Sequence, residues 1–346
     1  MRSVGVAQII TGSAAAVALL YFMRVILIPF VIAYVLAVLV AALVRFIQNR
    51  WAKAPAWAVS TFAGLIVITF AAGGIFAMGQ GAARIVGEGP ALLARLDQIV
   101  VDVGRSFHIA KPVHLANVIG SISVPQLAGQ VFQGLQGLAS GLLLMIVYFG
   151  FLLAGRQRIA RKLAFAAGSS KRATVVRNAV ARISTDIETY IWVQTVTGLM
   201  ITAAAALVML AVGLDNVLFW SVIFFLLSFI PNIGVTIGSI APALFALVQF
   251  PTTWQALTIF VVIQIAATFV GNLVYPRMQA ETQNIDPLVT MLSLAFWTVL
   301  WGLPGSFLAV PMTLMLMMVF AQFKGTRWIT AMLSNDGKPE FPDDKR

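Results

Sequence analysis

Read for runs of apolar residues, the chain alternates long stretches of membrane-spanning scale with short polar joints. A hydrocarbon core of roughly 30 Å needs about 20 apolar residues at a rise of about 1.5 Å each. Eight segments approach or exceed that length, near residues 4–22, 25–44, 56–78, 138–154, 195–213, 217–249, 254–275 and 288–322. The sixth and eighth are too long for straight spans, and both are interrupted by Pro and Gly. The pattern predicts an all-α, polytopic transmembrane helix bundle of about eight membrane segments, two of them broken or re-entrant. Four regions follow: 1–78 with the first three segments, 79–137 as an insert outside the membrane, 138–322 as the core with breaks in 217–249 and 288–322, and 323–346 as a tail.

Two stretches between the apolar runs have helical spacing of their own. Leu92, Leu93, Leu96, Ile99, Val100 and Val103 recur on one helical face, which predicts a small amphipathic helix in the insert. Val175, Val176, Ala179, Val180, Ile183 and Ile187 form a second stripe among Lys171, Arg172, Arg177 and Arg182, a pattern that fits an anionic lipid surface or a connector packed on its own protein.

Composition sharpens this picture. With 60% hydrophobic and 10% charged residues, the chain departs from a water-soluble enzyme. The net charge of +11 does not signal nucleic acid, because the basic residues lie between apolar segments. They set topology instead. Arg45, Arg50 and Lys53 follow the second segment, eight basic residues from Arg156 to Arg182 follow the fourth, and Lys324 and Arg327 follow the eighth, which places these loops and both termini in the cytoplasm. Region 79–137 then faces outward. Eight crossings satisfy this parity, and so do six crossings with two re-entrant hairpins. There is no cysteine, and His108 and His114 stand six apart without a ligand cluster, so no metal site and no cofactor is expected.

The candidate chemistry lies in the breaks. Ser228-Phe229-Ile230-Pro231-Asn232-Ile233-Gly234 interrupts the sixth segment, and Trp301-Gly302-Leu303-Pro304-Gly305-Ser306 the eighth. Proline removes a backbone donor and glycine permits geometry closed to other residues. Backbone groups freed inside a bilayer need protein, water or ligand, and paired interrupted segments are a pointer to a solute site in secondary transporters. Between the breaks, Gln264, Thr268 and Asn272 fall four apart on one face, and Gln194 adds a further amide. These residues, with Pro231, Asn232, Gly234, Pro304 and Gly305, form the expected substrate pathway. Interhelical hydrogen bonding is the competing role for each amide. Glu281 and Asp286 lie in the loop before the eighth segment; they are candidates for ion or proton coupling, with a helix cap at Asp286 as the alternative.

The stretch from Tyr190 to Gln322 resembles the autoinducer-2 exporter family of bacterial membrane proteins. The likeness rests on Ile230-Pro231-Asn232-Ile233-Gly234, on Asn272 with Pro276-Arg277, on Asp286-Pro287-Leu288 and on the run from Gly302 to Pro311. Family members usually have a glycine soon after the Pro-Arg pair, where this chain has Met278-Gln279-Ala280-Glu281. The resemblance implies a multi-pass transporter of the bacterial inner membrane. It implies either export of a small polar solute such as the autoinducer-2 quorum-sensing signal by alternating access, or sodium (lithium)/proton antiport with a coupling cation. No acidic residue maps to mid-span, which favours the former. A homo-oligomer in contact with membrane lipids is expected, and a non-transporting scaffold using Gly137-x-x-x-Gly141 is a third reading. No phosphate-binding loop or catalytic motif supports an enzyme.

Overall fold

The computed structural model describes residues 2–50, 55–106, 141–152, 155, 170–231, 233–279, 285–322, 325–335 and 337. Among them the regular structure is helical throughout, with no strand. In chain order the helices are α1 (Arg2–Phe22), α2 (Arg24–Arg50), α3 (Ala56–Ser106), α4 (Gly141–Leu152), α5 (Ser170–Val212), α6 (Val217–Ser228), α7 (Gly234–Gln249), α8 (Trp254–Phe269), a π-helical turn (Val270–Val274), α9 (Tyr275–Gln279), α10 (Pro287–Trp301), α11 (Leu303–Gln322) and α12 (Arg327–Leu333). Five helical stretches are long and apolar enough to cross a bilayer: Arg24–Arg50, Trp57–Arg84, Ile187–Val212, Trp254–Met278 and Leu303–Ala321. Large side chains such as Phe22, Trp57, Phe76 and Val299 are exposed, as suits helices bathed in lipid.

Two helices outrun their predicted segments. α3 is continuous for 51 residues, about 76 Å at the usual rise, and crosses the predicted boundary between 78 and 79 without interruption. The amphipathic stripe from Leu92 to Val103 is therefore its far half. α5 likewise joins the basic amphipathic stretch to the apolar one in a single helix of 43 residues. Residues 107–140, including His108 and His114, lie outside the described residues.

The chain divides into two compact units, one of Met1–Val67, Gly141–Gln194 and Arg277–Arg346, the other of Ile68–Ser140 and Thr195–Pro276. In the second unit the broken sixth segment is a helical hairpin. α6 and α7 have 12 and 16 residues, about 18 and 24 Å, so neither covers a core of roughly 30 Å. Their pairings run antiparallel: Gly234 lies against Leu227, Gly238 against Phe224, and Phe245 against Trp220. The chain thus returns toward the side from which it came. Lipid offers little hydrophobic drive between helices, so close packing must hold α6, and glycine supplies it on each neighbour. A methyl at Gly81 of α3 would overlap the Phe219 ring, one at Gly198 of α5 would lie 2.6 Å from Ser228 Oγ, and one at Gly238 would lie 2.8 Å from the Phe224 ring. Gln249 closes the open end by accepting from the Asp215 N–H at 2.8 Å and donating to the Gly213 carbonyl at 3.0 Å.

In the first unit α10 and α11 form the second hairpin. Gly302, at φ +67°, makes the turn, and Gly305 is pressed against the carbonyl of Trp297, where any Cβ would overlap. Pro304 falls in the first turn of α11, where a missing N–H costs nothing, so the break belongs to Gly302. The buried Trp297 Nε1 donates to Thr313 Oγ at 3.2 Å, and Trp301 Nε1 donates to the Leu20 carbonyl at 3.0 Å. α12 folds back on α11 through Thr330 Oγ, which donates to the Met317 carbonyl at 3.1 Å.

Candidate functional site

The predicted pathway residues divide between the two units. Pro231, Gly234, Gln264, Thr268 and Asn272 belong to the second, and Gln194, Asp286, Pro304 and Gly305 to the first. Asn232 and Glu281 lie outside the described residues.

In the second unit the first break and the polar face of α8 are linked through a residue the sequence pattern did not single out. Helix α6 ends at Ser228, and the turn is tied by Ile230 N–H to the Leu227 carbonyl at 2.8 Å and Gly234 N–H to the Ile230 carbonyl at 3.1 Å. A Cβ on Gly234 would overlap the Leu227 carbonyl oxygen, so glycine is required at the tip. One turn into α7, the fully buried Ser239 places its hydroxyl 2.8 Å from the Thr236 carbonyl and 3.3 Å from Gln264 Oε1, two acceptors within reach of its one proton. Gln264 is half-buried, and Thr268 and Asn272 are exposed on the side of α8 opposite the buried Ile259 and Ile263.

Past Thr268 the helix widens. Tyr275 N–H bonds to the Val270 carbonyl, five residues back, across the π turn. Pro276 supplies the reason: its ring would strike the carbonyl of Asn272 in a regular α-helix, and it has no N–H to return to Asn272 or Gly271. Pro276 thus takes one main-chain donor out of the turn, beside the exposed Asn272 side chain. Pro276, four residues after Asn272, was the available sequence signal.

Three further polar groups in this unit are buried without a hydrogen-bond partner: Thr202 Oγ on α5, and Trp220 Nε1 and Ser221 Oγ on α6. Thr202 follows Gly198 by one turn, and Ser221 precedes Ser228 by two, so both hydroxyls belong to the faces where α5 and α6 meet. Buried hydroxyls of this kind carry a desolvation cost.

In the first unit Asp286 is the N-cap of α10. Its Oδ1 accepts from Leu288 N–H at 2.7 Å and Val289 N–H at 3.4 Å, with Pro287 at the first helical position. Its own N–H donates to the Leu333 carbonyl at 3.1 Å. Gln194 is half-buried on α5. Six residues before it, Glu188 is 3% exposed and forms an ion pair with the half-exposed Arg45 of α2. Sequence spacing places this carboxylate at a segment end. The structure agrees, with Glu188 the second residue of the apolar stretch Ile187–Val212. A buried carboxylate of this kind requires a cation beside it.

The comparisons with known proteins bear on this arrangement. A family model described as "AI-2E family transporter" matches residues 11–325. "Putative transport protein YhhT" of Escherichia coli K12 is 24% identical over 66% of this chain, and the chain spans only 64% of that relative's length. A Haemophilus influenzae Rd protein described as a transport protein in the same terms is 22% identical over 90% of each chain. AI-2 transport protein TqsA of Escherichia coli K12 is 28% identical over 46% of each chain. With the family model covering nearly its whole length, this multi-pass helical chain belongs to the AI-2E family of membrane transporters.

Proposed function

We propose that the chain is a secondary transporter of the bacterial inner membrane, with both termini cytoplasmic, that exports a small polar solute by alternating access. An autoinducer-2-type signal, a small hydroxylated molecule, is the leading candidate, in keeping with the name of TqsA. The observation that carries this reading is the interrupted helix beside an amide-bearing face: the α6–α7 hairpin joined through Ser239 to Gln264, with the π turn beyond. Such groups suit the hydroxyls and carbonyls of a solute. Pro231, Asn232, Gly234, Gln194, Gln264, Thr268, Asn272, Pro304 and Gly305 are the proposed pathway residues.

Flux of a hydroxylated furanone signal into proteoliposomes tests this. Wild type should carry it, and Asn272→Ala should lower flux severalfold without loss of folded protein. Absence of signal flux in wild type would refute the reading.

A second reading, sodium or lithium/proton antiport, is favoured by one feature. Glu188 is a buried ionisable group at the end of an apolar, span-length stretch, and ionisable groups buried in such helices often serve ion or proton movement. Sodium-driven proton flux that disappears in Glu188→Gln, with no signal flux in wild type, would establish it over the first.

A further inference from the structure

Between α1 and α10, both in the first unit, lies an open-sided groove of about 590 Å³, the size of a small-molecule site. Its walls are one face of α1 over residues 13–22 and Leu300 of α10. Ser13, Ala14 and Ala18 are too small to fill the space beside them, and the lining is almost wholly apolar. The nine steps from residue 13 to 22 rise about 14 Å, close to the roughly 15 Å of hydrocarbon in one leaflet. Next to Leu300, Trp301 donates to the Leu20 carbonyl at 3.0 Å, so one end of the groove lies at the tip of the second hairpin.

The same end carries a charge. Arg24 lies over the ring of Tyr21, a groove residue, at 4.7 Å from its centre. It is exposed, and it is the one charged residue between Arg2 and Arg45. No acidic residue occurs in α1, α2, α10 or α11 to balance it. Asp286 caps the opposite end of α10, and Glu188 pairs with Arg45 near the far end of α2. The Tyr21 ring offers the guanidinium a face but no counter-charge. A basic group at the edge of hydrocarbon is costly unless an anion or water meets it.

We propose that this is a site for an anionic phospholipid, with one acyl chain along the groove and its phosphate on Arg24. The planar guanidinium matches a phosphate through two parallel hydrogen bonds, and an apolar channel one leaflet long matches a chain. A symmetric second copy of this protein fits less well, because these same helices would bring it no acid to meet Arg24. The bound lipid joins α1 to the tip of the second hairpin.

Photolabelling of the full-length protein tests this, in vesicles of equal parts phosphatidylglycerol and phosphatidylethanolamine with a diazirine in the acyl chain of one lipid or the other. Phosphatidylglycerol should label residues 13–22 about fivefold more than phosphatidylethanolamine, the worth of one basic residue at an anionic surface. Arg24→Gln should abolish that preference and Arg24→Lys should keep most of it. Ala14→Phe combined with Ala18→Phe fills the groove and should remove labelling there by both lipids. Labelling at the exposed Trp57 of α3 should stay constant throughout, which marks folded, inserted protein. Equal labelling by the two lipids in wild type, or a preference unchanged in Arg24→Gln, would overturn the proposal. Absence of labelling at residues 13–22 in wild type would overturn it too, and an oligomer that Ala14→Phe dissociates in native mass spectrometry would then give the groove to a second copy.

Discussion

The hairpin of α6 and α7 is held along its length by close approach, with the Gln249 bonds at its open end, whereas that of α10 and α11 is held largely by polar bonds. Around α6, glycine stands at each nearest neighbour: Gly81, Gly198 and Gly238. Neither α6 nor α7 has a side-chain cap. The second hairpin has the Asp286 cap, the Trp297–Thr313 bond and the Trp301–Leu20 bond. They share one device, a tip glycine pressed on the carbonyl of the preceding helix. The difference shows two ways to hold an interrupted helix in lipid, where apolar contact alone does not favour one neighbour over another. Adding atoms should harm the first hairpin most, and deleting polar atoms the second.

The largest effects should fall on the shared device. Gly234→Ala and Gly305→Ala each force a Cβ into a backbone carbonyl and should each cost about 3 kcal/mol, at the upper end for overpacking. Titration of the micellar protein with SDS would reveal the loss, and an unchanged midpoint for either would break the parallel. Next comes Gly302→Ala, at φ +67° and ψ −146°, a region closed to other residues; roughly 2 kcal/mol should be lost, with the first hairpin unaffected by hydrogen exchange. Thr313→Val removes the acceptor for a buried indole N–H and should cost about 1 kcal/mol or somewhat more. Asp286→Ala should cost about 1 kcal/mol and Asp286→Asn much less, since asparagine caps as well. Cation-dependent flux lost in Asp286→Asn, at unchanged stability, would give Asp286 a role in coupling beyond the cap.

Much of the helical architecture was legible because membrane spans are written in length and apolarity, which local sequence carries. The breaks at 228–234 and 301–306 were legible because Pro and Gly act on the backbone where they occur. What escaped was decided by partners distant in sequence. Nothing near Glu188 announces that Arg45 will meet it, and nothing near Ser239 announces Gln264. Helix continuity escaped for a different reason. α3 passes through Gly87, Gly89 and Pro90, ordinarily strong interruptions, and α5 passes from basic to apolar composition with no breaker between. A change of solvent along a helix does not require the helix to end. The candidate site was legible as a set of residue types and not as an arrangement. Pro304 is the conspicuous residue where Gly302 makes the break, and Pro276 is the one local mark of the widened turn before it.

That widened turn has an evolutionary consequence. A π turn holds one residue more than the α turn it replaces, so it has the form of a single-codon insertion. Deleting one residue between Val270 and Val274 would restore regular winding, but would press the Pro276 ring onto a carbonyl at a cost of about 3 kcal/mol. The lineage could discard the insertion cheaply only after replacing the proline, and while the insertion remains the proline is nearly free to keep. Each change therefore protects the other from reversal, and the face carrying Asn272 stays rotated away from the register its upstream neighbours would dictate.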